Sequence, residues 1–182
     1  FLCQAEGASI PSADVATVET FAGLHPAGLT GTHIHFLQPV SENKTVWSIG
    51  YQYVVAFGKL FETGEIYTDR VVSIAGPQVN QPRLVRTHVG ASLEELTAGE
   101  LKQGESRLIS GSVLGGRTSA GPMAYLGRYH NQVSVLEEGR DRPGLHYLRL
   151  GAERHSVMSI YISKLFNGKK FPFTTTTNGS ER

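Results

Sequence analysis

The chain has 182 residues, 40% hydrophobic and 18% charged, enough apolar content to bury a core in one or two domains. Its 17 basic and 16 acidic residues leave a net charge of +1, with the basic residues scattered, so no field for nucleic acid is present and nucleic acid is not expected as a partner. The longest apolar run, Tyr53 to Phe57, is far short of the ~20 residues a membrane span needs. Cys3 is the single cysteine, which excludes an internal disulfide and a cysteine-ligated zinc or iron–sulfur site within these residues and fits a reducing compartment. The chain opens at Phe1 with neither a methionine nor a charged leader, and is expected to be part of a longer protein with no signal peptide of its own.

Phe1 to Gln4 reads as the end of a buried strand, followed by a small-residue connection from Ala5 to Asp14. Between Gly23 and Val40 the chain combines a glycine-rich turn with His25, His33 and His35. Ile34 to Leu37 before Pro39 predicts a short strand, with His33 and His35 projecting to one side. After a turn at residues 41–44, Val46, Ile49, Tyr53, Phe57 and Leu60 predict a helix over 46–61, stopped at Gly64. The period then changes. Residues 70–77 and 83–90 read as strands separated by the breakers of 78–82, and Ser92 with Glu95 forms a capping-box pattern that predicts a short helix. Strand, turn, strand and short helix make the front half of a β-grasp module. Residues 107–114 and 131–136 predict further strands flanking a flexible 115–122. A charged loop over 137–144, an ambiguous helix or strand over 156–166 and an extended segment over 171–179 complete the chain.

His33 and His35 have the shortest metal-ligand spacing a strand offers, with His25 as a third imidazole across the turn. No carboxylate or cysteine completes the set at a familiar spacing, so no metal is expected and a structural role, with imidazoles satisfied by loop carbonyls, is the stronger reading. Residues 111–116 and 28–32 are glycine-rich but reproduce no phosphate-loop or dinucleotide fingerprint, and read as tight turns. No Gly-x-Ser-x-Gly elbow occurs. Arg128, Tyr129 and His130 form a polar cluster suited to a ligand.

Residues 23–37, 64–77, 82–87, 109–114 and 125–136 and the closing 173–179 are long, specific strings. Together they resemble the NqrA family, the A subunits of the Na⁺-translocating NADH:ubiquinone reductases, which are the bacterial respiratory sodium pumps. The resemblance runs over nearly the whole chain; a run from Asp141 to Met158, with Arg142, His146, Arg149, Arg154 and His155, departs from it. It implies an α/β (α+β) fold, related to a subunit of respiratory complex I and to the C subunit of the Rnf complex. Residues 1–68 would be the C-terminal part of a Rossmann-like domain, 69–104 a β-grasp module of the soluble-ligand-binding (SLBB) type, and 105–182 strands returning to the α/β domain and the start of a C-terminal region.

It also implies a peripheral subunit on the cytoplasmic face of the bacterial inner membrane, partnered with the other subunits of the pump, chiefly its membrane-embedded B subunit, and contributing to assembly and to quinone access. NADH, FAD, FMN, riboflavin, iron–sulfur groups and ubiquinone would belong to the whole complex, with none bound by this segment, which alone would be inactive. No catalytic residue is assigned; His25, His33, His35, Arg128, Tyr129 and His130 are the quinone-proximal or ligand candidates. The alternative is a stand-alone module binding a small cofactor or quinone.

Overall fold

A computed structural model describes residues 1–11, 13–140, 150–152, 159, 161–165 and 171–176, divided into two compact units, Phe1–Glu65 and Ile66–Arg182. In the first, β1 (Leu2–Ala5) and β2 (Val18–Phe21) pair in parallel, Leu2 opposite Val18 and Ala5 opposite Phe21. A 3₁₀ turn, His25–Gly28, begins at the fixed φ of Pro26 and leads directly into α1 (Thr30–Leu37).

The strand expected at residues 34–37 is therefore a helix. The Thr32 and His33 amides both bond to the Leu29 carbonyl, continuing the turn, and the half-buried positions His33, Ile34 and Leu37 recur at three and four residues. That spacing, set by packing against β2, overrides the local β-branched alternation. The helix of the middle segment is α2 (Tyr51–Thr63), five residues later in starting than its apolar spacing predicts, because residues 47–50 form no regular element and Gly50, itself extended, is the N-cap. Gly64 ends it in a left-handed conformation, φ 75°, with its amide on the Leu60 carbonyl. No described residue of this unit is fully buried, and Trp47, Phe57 and Phe61 are all exposed.

The second unit is a five-stranded sheet whose strands lie in the order 83–88, 69–75, 132–137, 106–110 and 117–118. The predicted hairpin is β3 (Asp69–Ala75) with β4 (Arg83–His88), antiparallel, Asp69 opposite His88. Its connection is tied down by the Asn80 amide on the Glu100 carbonyl, the Lys102 amide on the Gln78 carbonyl and an Arg83–Glu100 ion pair of 2.5 Å. The capping signal is realised in α3 (Leu93–Thr97), where the Ser92 hydroxyl accepts the Glu95 amide. β5 (Ser106–Ser110) stops four residues short of its expected end, because Gly111 turns into the left-handed region at φ 97°. The segment expected to be flexible carries β6 (Arg117–Thr118) and a 3₁₀ turn, Gly121–Met123.

β7 (Gln132–Glu137) lies between β3, which it meets in parallel, and β5, which it meets antiparallel. As the central strand it is buried on both faces, and Val133, Ser134, Val135 and Leu136 form a continuous run rather than an alternation. Val133 and Val135 join Val72, Ile74, Val79, Leu93 and Leu126 in one core. Residues 106–137, read from sequence as strands returning to the α/β domain, thus share the sheet of β3 and β4; the apolar face of β7 finds its partners there. Gly76 marks the closest approach of the two parallel strands: at φ 140°, a Cβ would be driven into the Val135 carbonyl.

Past β7, the Thr175 amide donates to the Glu137 carbonyl, and Arg107 and Arg140 make forked ion pairs with Glu138 and Glu105 at 2.6–2.8 Å. The Thr175 hydroxyl donates to Glu138 and accepts from the Gly139 amide. The Thr175 and Arg107 bonds hold the Glu138 carboxyl below its ordinary pKa. The distal part of the charged loop, the unfamiliar Asp141–Met158 run except Leu150, Gly151 and Ala152, most of the ambiguous 156–166 segment and residues 177–179 lie outside the described residues.

Candidate functional site

The sequence candidates divide between the two units. His33 sits on α1 with its ring 4.1 Å from the Phe21 ring of β2 and its Nε2 2.8 Å from the Ala27 carbonyl oxygen. A carbonyl only accepts, so Nε2 carries the proton and the imidazole ties the 3₁₀ turn to the helix. His35 is exposed, its ring edge-on to Phe36 at 5.2 Å, and His25 is exposed in the turn. On a helix, residues i and i+2 lie roughly 200° apart, so His33 and His35 do not share the face that a strand would have given them. Among the described residues no group of three His, Cys, Asp or Glu side chains is placed to hold a metal ion. The His33 imidazole is thus satisfied by a loop carbonyl, with His35 on another side of the helix.

In the second unit, one end of the sheet brings together His130 and the glycine-rich turn after β5. Ser110 Oγ lies 2.8 Å from His130 Nδ1 and accepts the Gly127 amide at 2.8 Å. With that amide occupying one side of the oxygen, the hydroxyl proton is free to point at Nδ1, leaving a neutral ring protonated at Nε2. Two glycines clear the space for the ring: a Cβ on Gly127 would sit 2.5 Å from Nδ1 and one on Gly111 would sit 3.0 Å from the ring carbon, while Gly116 lies behind Gly111, packed against the Ser112 carbonyl. Below them, Ser134 donates to the Gly111 carbonyl at 2.8 Å and receives a bond from Gln132.

This hydroxyl–imidazole pair differs from a nucleophile and its base. Ser110 has no exposed surface, so its oxygen cannot reach a substrate. Half-burial of His130, and secondarily the charge of Arg117, lower its pKa and keep the ring neutral. The chemistry available is that of a neutral polar anchor at the edge of an exposed surface, with Arg128 and Tyr129 exposed beside it and Arg117 held by the Tyr125 carbonyl at 3.3 Å. His130, Arg128 and Tyr129 are the candidates the sequence offers here, while Ser110 and Arg117 are contributed by the fold. The glycines at 111 and 127, which border the His130 ring, are the signal that could have found this arrangement.

Two family models match. The first, described as the NqrA second alpha/beta domain, covers residues 1–66, and the second, the NQRA C-terminal domain of SLBB type, covers 71–121. The fold is accordingly a segment of an α/β domain joined to an SLBB-like β-grasp module. Relatives named as the A subunit of the Na(+)-translocating NADH-quinone reductase share 67% identity in Saccharophagus degradans, 65% in a Marinomonas species and 59% in Pseudomonas aeruginosa, in each case over 100% of this chain. The chain spans 41% of the length of these relatives. It belongs to the NqrA family, the A subunits of the Na⁺-translocating NADH-quinone reductases.

Proposed function

We propose that this chain acts as part of a peripheral subunit of a respiratory sodium pump, in which electron transfer from NADH to ubiquinone drives Na⁺ export, and that its contribution is to assembly and to the quinone side. The supporting observation is identity of 59–67% over 100% of the chain with subunits of that name. The proposed setting is the cytoplasmic face of the inner membrane, against the membrane-embedded B subunit of the pump and its other subunits. No helix among the described residues is long and apolar enough to cross a membrane, which suits a peripheral position.

In this reading NADH, the flavins, the iron–sulfur groups and ubiquinone are handled by the complex, and none is bound by this segment. With Cys3 as its single cysteine, the segment has no cysteine cluster of its own to offer. On the quinone side, His130 with Arg128 and Tyr129 is the better candidate, since His33 is committed to the Ala27 carbonyl. The test is NADH oxidation with a quinone acceptor, by the isolated 182-residue chain and by membranes carrying the full-length subunit. The expected result is no turnover by the chain alone and loss of quinone reductase activity when the subunit is deleted. Robust turnover by the isolated chain, or unchanged activity in the deletion, overturns the proposal.

A further inference from the structure

The loop end of the second unit, built by residues 111–117 and 121–130, has a composition unlike the rest of the chain. Residues 106–136 contain arginine and histidine but no Asp, Glu or Lys. At this end the two loops converge: His130 packs against Gly111 and Gly127, and Arg117 reaches the Tyr125 carbonyl. The side chains they display are Leu114, 80% exposed, Tyr129, 79% exposed, and Val113 and Tyr125, about half exposed. Arg117 and Arg128 are exposed with them, and among the described residues Arg117 is in no ion pair.

Two kinds of surface attract such a face, and magnitudes separate them. An anionic membrane recruits clusters of roughly four to eight Lys or Arg, each worth about 1 kcal/mol, and this face has two arginines and no lysine. Protein interfaces are enriched in aromatic residues, Met and Arg and depleted in Lys, Glu and Asp, and this face displays Tyr125, Tyr129 and Met123 with Arg117 and Arg128. The rigid framework beneath, with the Ser110–His130 bond and the glycine turn, means the loops need little ordering on contact.

We propose that this loop end is the surface through which the chain docks on another protein subunit, whose complementary patch has an apolar centre for Leu114 and Tyr129 and carboxylates facing Arg117 and Arg128. The inference rests on the reading of this chain as part of a multi-subunit complex and adds which face makes the contact and to what chemistry.

The test uses the full-length subunit in native membranes, with a photoreactive benzophenone amino acid placed at Leu114, at Tyr129 or, as control, at the exposed Glu94 of α3. Irradiation is expected to give, at 114 and 129, adducts with another subunit through an acidic peptide, and none at 94. In parallel, the double variant R117E/R128E is expected to lower co-purification of the other subunits about tenfold or more while its melting profile stays that of wild type. An assembled complex with no such adduct at 114 and 129, adducts only with lipid, or adducts only with a second copy overturns the docking face and leaves the assignment to the complex standing. Failure of the unmodified full-length protein to co-purify with any other subunit overturns both.

Discussion

Replacing Ser110 by alanine removes one oxygen from a site with no solvent access. Two bonds of 2.8 Å are lost, one accepted from the Gly127 amide and one shared with His130 Nδ1. Gly127 is buried, so its amide is left without an acceptor, at about 1–3 kcal/mol. His130 is only half-buried and can recover a water, so its share is about 0.5–1 kcal/mol. The sum is about 1.5–4 kcal/mol, or roughly 3–16 °C in the melting of a chain this size. Ser112→Ala is the control, because among the described residues its hydroxyl accepts the Gly115 amide alone, in an exposed turn, and about 0.5 kcal/mol or less is expected. Urea unfolding followed by circular dichroism gives the free energies, and amide hydrogen exchange reports the Gly127 N–H directly. If Ser110→Ala is no more destabilising than Ser112→Ala and the Gly127 amide stays protected, the buried hydroxyl does not hold this loop and the reasoning fails.

Burial and Arg117 lower the folded-state pKa of His130, so its contribution to stability is fully present above the unfolded value of about 6.5 and is lost as pH falls through the lower, folded value. Urea midpoints taken from about pH 8 to 5 should therefore decline below about 6.5, with a shallower decline in His130→Gln. Gly76→Ala places a methyl group into the Val135 carbonyl and should cost more than about 4 kcal/mol, seen as loss of soluble, cooperatively melting protein. His33→Ala, which loses the Phe21 contact and the Ala27 bond, should destabilise by about 1–2 kcal/mol in urea, while His35→Ala should stay within about 0.5 kcal/mol of wild type. Ser92→Ala removes the N-cap of α3 and should cost about 1 kcal/mol by thermal unfolding.

What the amino-acid order shows on its own here is local. The Gly64 stop, the Ser92 cap, the β3–β4 hairpin and the strand at 132–137 each depend on signals lying within a few residues of one another. Residues 30–37 are misread because their helix answers to Phe21, a partner outside the window in which the alternation of His33 and His35 is visible. The membership of β5 and β7 in the sheet of β3 and β4 is hidden for the same reason, since the β3–β7 register joins Ser73 to Gln132. At the candidate site the exposed Arg128 and Tyr129 and the half-buried His130 are legible as a run of polar types. Ser110 is not, because a serine within a strand gives no sign that its hydroxyl belongs to a histidine twenty residues on.

The strand at the middle of the five-stranded sheet is the last of the five in chain order. During synthesis β3 with β4, and β5 with β6, can each zip locally, but both present an open edge until residues 132–137 emerge and insert between them. Closing that gap spans about 60 residues from Ser73 to Gln132 and carries the loop-closure entropy of the whole unit. Folding of this unit should thus be slow and all-or-none, governed by one late insertion. A segment cut at residue 121, where the family match ends, would keep two ribbons and lose the strand that makes them a sheet.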